Sequence, residues 1–266
     1  MQDCSLSSPA PPLLTVDAPA IRTLSSSVSL ALLLDYDGTL MPHADDPLAG
    51  GPDEALRRLL RDLVGRAGVE VHVVSERDPR ILDEWLGQLP VRLHAAHGAV
   101  WRGPDSGWSE LAAGFDAHLE PVREAMRTYA IRTRGSLIEE KLVGVAWHYR
   151  RADPEQGAQA ARELCVLLGG LLATAPVEVL VGNRVVEVRP RGINKGLAVG
   201  RVRRGAAILA MGDDHTDDDL FAALPAGAIG VAVGGISRNA SWRVPSVTAA
   251  RRVLQEILSI RTRARR

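Results

Sequence analysis

Lysine is nearly missing from this chain. Of 32 basic residues only Lys141 and Lys195 are lysines, and every other one is arginine. A bias toward arginine codons explains the excess but not the two exceptions. A lysine ammonium is a compact, mobile charge that a planar guanidinium does not imitate, so both lysines are candidate site residues. Aromatic residues make up 4% of the 266, which leaves Leu, Val, Ala and Ile to build the core. Cys4 and Cys165 form no metal or redox spacing and make no disulfide scaffold. The formal net charge is zero, so composition gives no reason to expect nucleic acid or an anionic membrane as partner. No apolar run is long enough to span a bilayer. The opening MQDCSLSSPAPPLL lacks the basic start and long apolar stretch of a signal peptide, which predicts a cytoplasmic protein. The one basic run, RTRARR at the end, reads as a solvated tail.

What is there has a rhythm. Residues 1–27, rich in Pro and Ser, read as a flexible segment. From Val28 the pattern runs strand (VSLALLLD), helix (PDEALRRLLRDLVGRAG), strand (VEVHVVS), helix (PRILDEWLGQL) and strand (VRLHAAH). That alternation predicts an α/β fold with a parallel sheet and crossover helices, whose chemistry lies at the carboxyl ends of the strands. The rhythm then changes. GAVWRGPDSGWSEL reads as a hairpin, about 115–133 as a helix, and SLIEEK and VGVAWHYR as strands. PEQGAQAARELCVLLGGLLA reads as a helix and NRVVEVRP as a strand, giving a small α+β insert over 103–189. Around it, 28–102 and 190–266 form one core: a helix from Asn194, strand AAILAMGDD, helix TDDDLFAAL, strand GAIGVAVG and a last helix near AARRVLQEIL.

Two strand ends carry unexpected acids. LLLDYDGTL puts Asp35 and Asp37 after a buried apolar run, and AAILAMGDD ends in Asp213 and Asp214 with Asp217, Asp218 and Asp219 behind. One helix cap accounts for one acid, not for a cluster whose repulsion needs a cation to offset it. Neighbouring strands of one parallel sheet would bring both pairs to one edge. All-oxygen donors suit Mg²⁺, and no soft ligands stand nearby.

DYDGTL, Ser75 after VHVV, Lys195 in INKG and GDDHTDDD match, in order, the four motifs of the haloacid dehalogenase superfamily of phosphohydrolases. The resemblance implies a doubly wound parallel-sheet core with an inserted α+β cap. It also implies roles: Asp35 as the nucleophile that forms an aspartyl-phosphate, and Asp37 as general acid and then base. The Asp35 carboxylate, the Asp37 carbonyl and Asp213 would be ligands of Mg²⁺, with Asp214 and Asp217 in support. Ser75 and Lys195 would hold the phosphoryl oxygens. The insert, with IEEKLVGVAWHYR and VVEVRP, resembles the sugar-binding cap of trehalose-6-phosphate phosphatases. Their substrate-binding elements fall on Glu139, Lys141, His148, Arg150, Glu187 and Arg189, with Asn194 beside Lys195. LPVRLHAAHGAVWRGPDSGW further resembles the phosphatase half of fused trehalose-phosphate synthase–phosphatase proteins. The implied activity is Mg²⁺-dependent hydrolysis of trehalose 6-phosphate, with a trehalose-phosphate synthase as candidate partner.

Plainer readings stand beside these. Glu139 or Glu140 with Lys141 would serve as a surface pair, and His148 as a packed, hydrogen-bonded histidine. Trp85, Trp101, Trp108 and Trp147 read as packing residues. Phosphates of glucosylglycerol, mannosylglycerate or sucrose type suit the same architecture, and so does a regulatory domain without catalysis. One departure from the family stands out. Where those phosphatases read Ser-Gly-Arg, this chain has Ser75-Glu76-Arg77. Glu76 is expected to turn to solvent or pair with Arg77 or Arg80 and to slow the enzyme, so that Glu76→Gly would speed it.

Overall fold

The computed structural model describes residues 10–44, 50–109, 118–182, 184–235, 237 and 239–264. The chain divides into two compact units, one of Met1–Ser109 with Asn194–Arg266 and one of Glu110–Ile193. The first unit opens with α1 (Pro19–Ser25), β1 (Leu30–Asp35), α2 (Glu54–Val64), β2 (Val69–Val74), α3 (Pro79–Leu86), β3 (Arg92–Ala95) and β4 (Val100–Arg102). The second unit holds α4 (Glu120–Arg132), β5 (Leu137–Lys141), β6 (Gly144–His148), α5 (Pro154–Leu171), β7 (Val177–Gly182) and β8 (Val185–Pro190). The first then resumes with a 3-10 helix (Lys195–Arg201), β9 (Ala207–Gly212), α6 (Asp217–Ala222), β10 (Ile229–Val233), β11 (Trp242–Val244) and α7 (Val247–Arg263). Among the described residues no helix is long and apolar enough to cross a membrane.

In the first unit the sheet order is β11-β10-β9-β1-β2-β3-β4, parallel except for the antiparallel β3–β4 pair. The central strand LALLLD is buried along its whole length, as a strand covered on both faces must be. Side chains alternate along it. Ala31 and Leu33 pack with Ala198, Leu220 and Phe221 on the side of the 3-10 helix and α6. Asp35 shares their parity, so the strand delivers its carboxylate to that same side. α2 shows why the helices sit where they do. Asp53 caps it by accepting from the Leu56 N–H, and Leu56, Leu59, Leu60 and Leu63 form its buried stripe.

The second unit is a four-stranded antiparallel sheet, β5-β6-β8-β7. Ile138, Val145, Trp147, Val186, Val188 and Val179 pack with Val122 and Met126 of α4 and Leu164 and Leu168 of α5. The alternate residues of each strand point to the other face.

Several expectations need correction. Residues 1–9 of the expected flexible segment lie outside the described residues, but 10–27 are anchored. Leu13 bridges Arg243, and the Leu14 N–H donates to the Arg243 carbonyl at 2.8 Å. Ile21 and Leu24 of α1 are buried. Leu14 is buried as well, so a Pro- and Ser-rich stretch is docked by Leu14, Ile21 and Leu24. The expected basic tail is also corrected up to Arg263, which ends α7. Arg261 is buried and donates to the carbonyls of Ser25, Ser27 and Ala67 at 2.7–3.0 Å. Residues 265–266 lie outside the described residues.

Of the helix expected from about 115, residues 115–117 lie outside the described residues and the helix is described from Glu120. The one expected at Asn194 is 3-10. The compact second unit covers 110–193, against an expected insert of 103–189. β7 and β11 were not expected. VEVLVG carries the alternation of a strand, but the preceding long helix and Pro176 masked it.

Candidate active site

Lys195 is the centre of the first unit's site. Its Nζ donates to Asp35 Oδ1 at 2.8 Å and to Asp217 Oδ1 at 3.0 Å, and all three side chains are buried. Burial alone would push the ammonium down, but Asp217 and Asp35 outweigh it and hold Lys195 well above the usual lysine range. Burial pushes Asp35 well up, helped by Asp217 and Asp213 and opposed by Lys195. Burial likewise pushes Asp217 up to about 7. The environment resists holding so many ionised carboxylates with one cation.

Carboxylate oxygens of Asp35, Asp213 and Asp217 lie within 4.8 Å of one another. With all three ionised and Lys195 charged, the group carries a net charge of −2, which is the charge a divalent cation cancels. The donors are all hard oxygens. Both facts fit Mg²⁺, with Asp35 and Asp213 as the carboxylates that would hold it. Asp217 acts differently. Its Oδ1 is on Lys195, and its Oδ2 accepts from the N–H groups of Asp213 at 3.0 Å and Asp214 at 3.3 Å. It fastens the loop that presents Asp213.

Two glycines make this approach possible. A Cβ on Gly38, where φ is +80°, would sit 2.1 Å from Asp213 Oδ2. A Cβ on Gly212 would sit 2.1 Å from the Asp217 carboxyl carbon. The Gly in DYDGTL therefore serves both the turn and the opposite acid.

Asp214 is not in this cluster. Its Oδ1 accepts from the Thr216 N–H at 2.9 Å and contacts the Thr216 hydroxyl at 2.7 Å. The Asp37 carboxylate is also elsewhere, in a bidentate pair with Arg77, both contacts 2.7 Å, and Arg77 in turn lies over Trp85. Ser75 follows β2 and is buried, and its Oγ accepts from the Arg77 N–H at 3.2 Å. Asn194 caps the 3-10 helix, its Oδ1 accepting from the Gly196 N–H at 3.0 Å, and thereby fixes the start of the turn that carries Lys195.

Sequence reasoning missed His43, whose Nε2 lies 2.8 Å from Asp213 Oδ2; the hydrogen bond to Asp213 pushes its pKa up. It also missed Thr39, whose hydroxyl donates to Asp213 at 3.3 Å. No motif spacing marks His43, since the contact spans 170 residues.

In the second unit Glu139, Ala146, Glu187 and Leu180 lie abreast across the sheet, and Lys141 is opposite Gly144. By strand alternation Glu139, Lys141, His148, Glu187 and Arg189 share the face away from the helices. Lys141 Nζ donates to Glu187 at 2.6 Å, Glu139 lies 2.7 Å from His148 Nε2, and Arg189 donates to Glu178 at 2.8 Å. Burial pushes Glu139 up, but His148 and Lys141 outweigh it and hold it below the usual range. Glu140 points the other way and pairs with Arg123 of α4 at 2.9 Å. Arg150 lies in the turn after β6. The four tryptophans pack: Trp85 against Tyr36, Trp101 against His94, Trp108 over Arg102 and on Asp83, and Trp147 in the core of the second unit.

Comparison with known proteins places this geometry. The family model for trehalose-phosphatase matches residues 33–246. A bifunctional trehalose-6-phosphate synthase/phosphatase of Thermoproteus tenax is 38% identical over 229 residues, covering 85% of this chain and 31% of that protein. A trehalose-phosphatase of Schizosaccharomyces pombe is 37% identical over 216 residues, covering 77% of this chain and 26% of that protein. The chain thus spans about a third or less of the length of these curated relatives. Among solved structures, the C-terminal domain of the C. albicans trehalose-6-phosphate phosphatase matches with a TM-score of 0.84 at 33% identity, covering 96% of this chain and 99% of that one. The matched span contains both strand-end acid pairs, Lys195 and the inserted sheet, and on that extent this chain belongs to the trehalose-phosphatase family.

Proposed function

We propose that this chain hydrolyses trehalose 6-phosphate to trehalose and phosphate, with Asp35 as nucleophile and Mg²⁺ as cofactor. The observation that carries the reading is the meeting of the Asp35, Asp213 and Asp217 carboxylates within 4.8 Å of one another, with Asp35 and Asp217 both on the ammonium of Lys195. A cation held by Asp35, the Asp37 carbonyl and Asp213, with Asp214 and Asp217 behind them, would supply the positive charge that lets a phosphate dianion approach. Ser75 and Lys195 hold the phosphoryl oxygens. An oxygen of Asp35 forms a bond to phosphorus as the bond from phosphorus to the sugar oxygen breaks. Asp37 gives that oxygen its proton, for which it must turn out of the Arg77 pair. It then takes a proton from water, whose oxygen attacks the aspartyl-phosphate, releasing phosphate and restoring Asp35.

The second unit's face suits the other half of the substrate. A disaccharide offers hydroxyls, and Glu139, Lys141, His148, Arg150, Glu187 and Arg189 are the residues proposed to bind it. Asn194 is proposed to act through the turn it caps. The bifunctional relative combines synthase and phosphatase in its name, which makes a trehalose-phosphate synthase the partner to test.

The test is phosphate release from trehalose 6-phosphate by the full chain. Mg²⁺ should support it, EDTA should abolish it, and Asp35→Asn should lower it by about 10⁴-fold or more, with no phosphoenzyme trapped. Full activity after exhaustive chelation would remove the metal from the proposal. Faster hydrolysis of sucrose phosphate would change the substrate.

A further inference from the structure

Glu76 stands next to Ser75, yet its carboxylate is engaged far along the chain. Glu76 Oε1 accepts from the Thr216 hydroxyl at 2.9 Å, across 140 residues of sequence. His97 Nδ1 is 3.7 Å from the same oxygen. Of the partners first expected for Glu76, Arg77 pairs with Asp37 and Arg80 with Asp78. Thr216 is buried and sits between Asp214, with which its hydroxyl is also in contact, and Asp217, the carboxylate on Lys195. Its hydroxyl has one hydrogen and can donate to only one of the two carboxylates at a time.

The Ser75 side of this link is held just as closely. The Ser75 N–H donates to the His94 carbonyl at 2.9 Å, the His97 N–H to the Ser75 carbonyl at 3.1 Å, and the Ala96 N–H to the Arg77 carbonyl at 3.0 Å. Ala96, His97 and Gly98 follow one another with φ of 48°, 59° and 87°. Two non-glycine residues in the left-handed region are costly and persist only where their surroundings over-determine them. This strained turn fixes the backbone of residues 75–77, and Glu76 passes that position on to the acidic loop.

We propose that Glu76 is a positioning residue: through Thr216 it clasps the loop carrying Ser75 to the loop 213–217, setting the distance between the phosphate-holding hydroxyl and the acids. The inference rests on the phosphatase reading for its kinetic consequence, but not for its structural one. It reverses the effect expected from sequence, because removing Glu76 loosens the site instead of unburdening it.

The experiment is a double-mutant cycle with Glu76→Ala and Thr216→Val, measured in two ways. Each single variant should lower kcat/KM for trehalose 6-phosphate by about ten-fold, the scale of one hydrogen bond to a charged group, with the loss mainly in kcat. The double variant should be no worse than Thr216→Val alone, which also loses the contact with Asp214. Glu76→Gln, which keeps an acceptor oxygen, should recover most of the rate. In parallel, hydrogen exchange of the amides of 213–216 should quicken in Glu76→Ala and Thr216→Val, at unchanged melting temperature. Additive losses, a gain of rate in Glu76→Ala, or unchanged exchange at 213–216 would overturn the clasp. If the unaltered chain releases no phosphate, the functional reading fails, and the exchange data alone still decide the clasp.

Discussion

The two units handle charge in opposite ways. In the second, acids and bases alternate on the open face and lie against one another: Glu139 with His148, Lys141 with Glu187, Arg189 with Glu178. Such a face is near neutrality by itself, and an uncharged, hydroxyl-rich ligand can exchange hydrogen bonds with it without a large change in charge. In the first unit, three carboxylates crowd together, two of them on the Lys195 ammonium and the third, Asp213, beside His43. That arrangement is short of positive charge, and the upward push on Asp35 and Asp217 expresses the shortage. A paired face recognises shape. An unbalanced pocket demands a cation.

The sharpest way to break this contrast is Asp213→Asn. Removing one charge from the first unit should cost about 10²–10³-fold or more in turnover. In EDTA the variant should nevertheless melt at a higher temperature than the unaltered chain, because repulsion among the carboxylates is relieved. A lower melting temperature without metal would mean that the cluster is balanced and the contrast false.

Next in size is Glu187→Ala, which removes one member of a pair in the second unit. Glu187 and Lys141 are both mostly buried, so the change leaves an ammonium without its nearest carboxylate. The expected cost is about 10–100-fold in kcat/KM for trehalose 6-phosphate, the scale of one or two charge-assisted hydrogen bonds. A small aryl phosphate, which has no sugar to bind, should be little affected. Equal losses on both substrates would assign Glu187 to the packing of its sheet.

Arg261→Met supplies the reference within the first unit but outside its acidic cluster. It removes a donor to the carbonyls of Ser25, Ser27 and Ala67 and should cost about 1–3 kcal/mol of unfolding free energy in denaturant titration. Phosphate release at low temperature should be unaltered. A loss of rate as large as that of Glu187→Ala would show that stability and activity are not separable in this chain.

Much of this was legible in the primary structure, for identifiable reasons. β1 and β9 declared themselves because a buried strand cannot end in unpaired acids without purpose, and Asp35, Asp213 and Asp217 do converge. The two lysines declared themselves by rarity, and each bridges to carboxylates. Glu139 could not be separated from Glu140 by composition; the register of β5 on β6 separates them, since the pleat sends neighbours to opposite faces. Adjacency to Asp213 does not tell what Asp214 touches; the turn before α6 sets it against Thr216.

Local order along the chain determined the alternation of strands and helices, the acids at the strand ends and the singular lysines, because those depend on hydrophobic period and residue chemistry within a few positions. Tertiary structure alone decided that Glu76 meets Thr216, that Arg77 grips Asp37, that His43 reaches Asp213, and that Arg261 staples the N-terminal segment. Each of those contacts joins residues at least 40 positions apart. No pattern within a window of sequence specifies them. They are fixed by strand order and by which loops the sheet brings to the same edge.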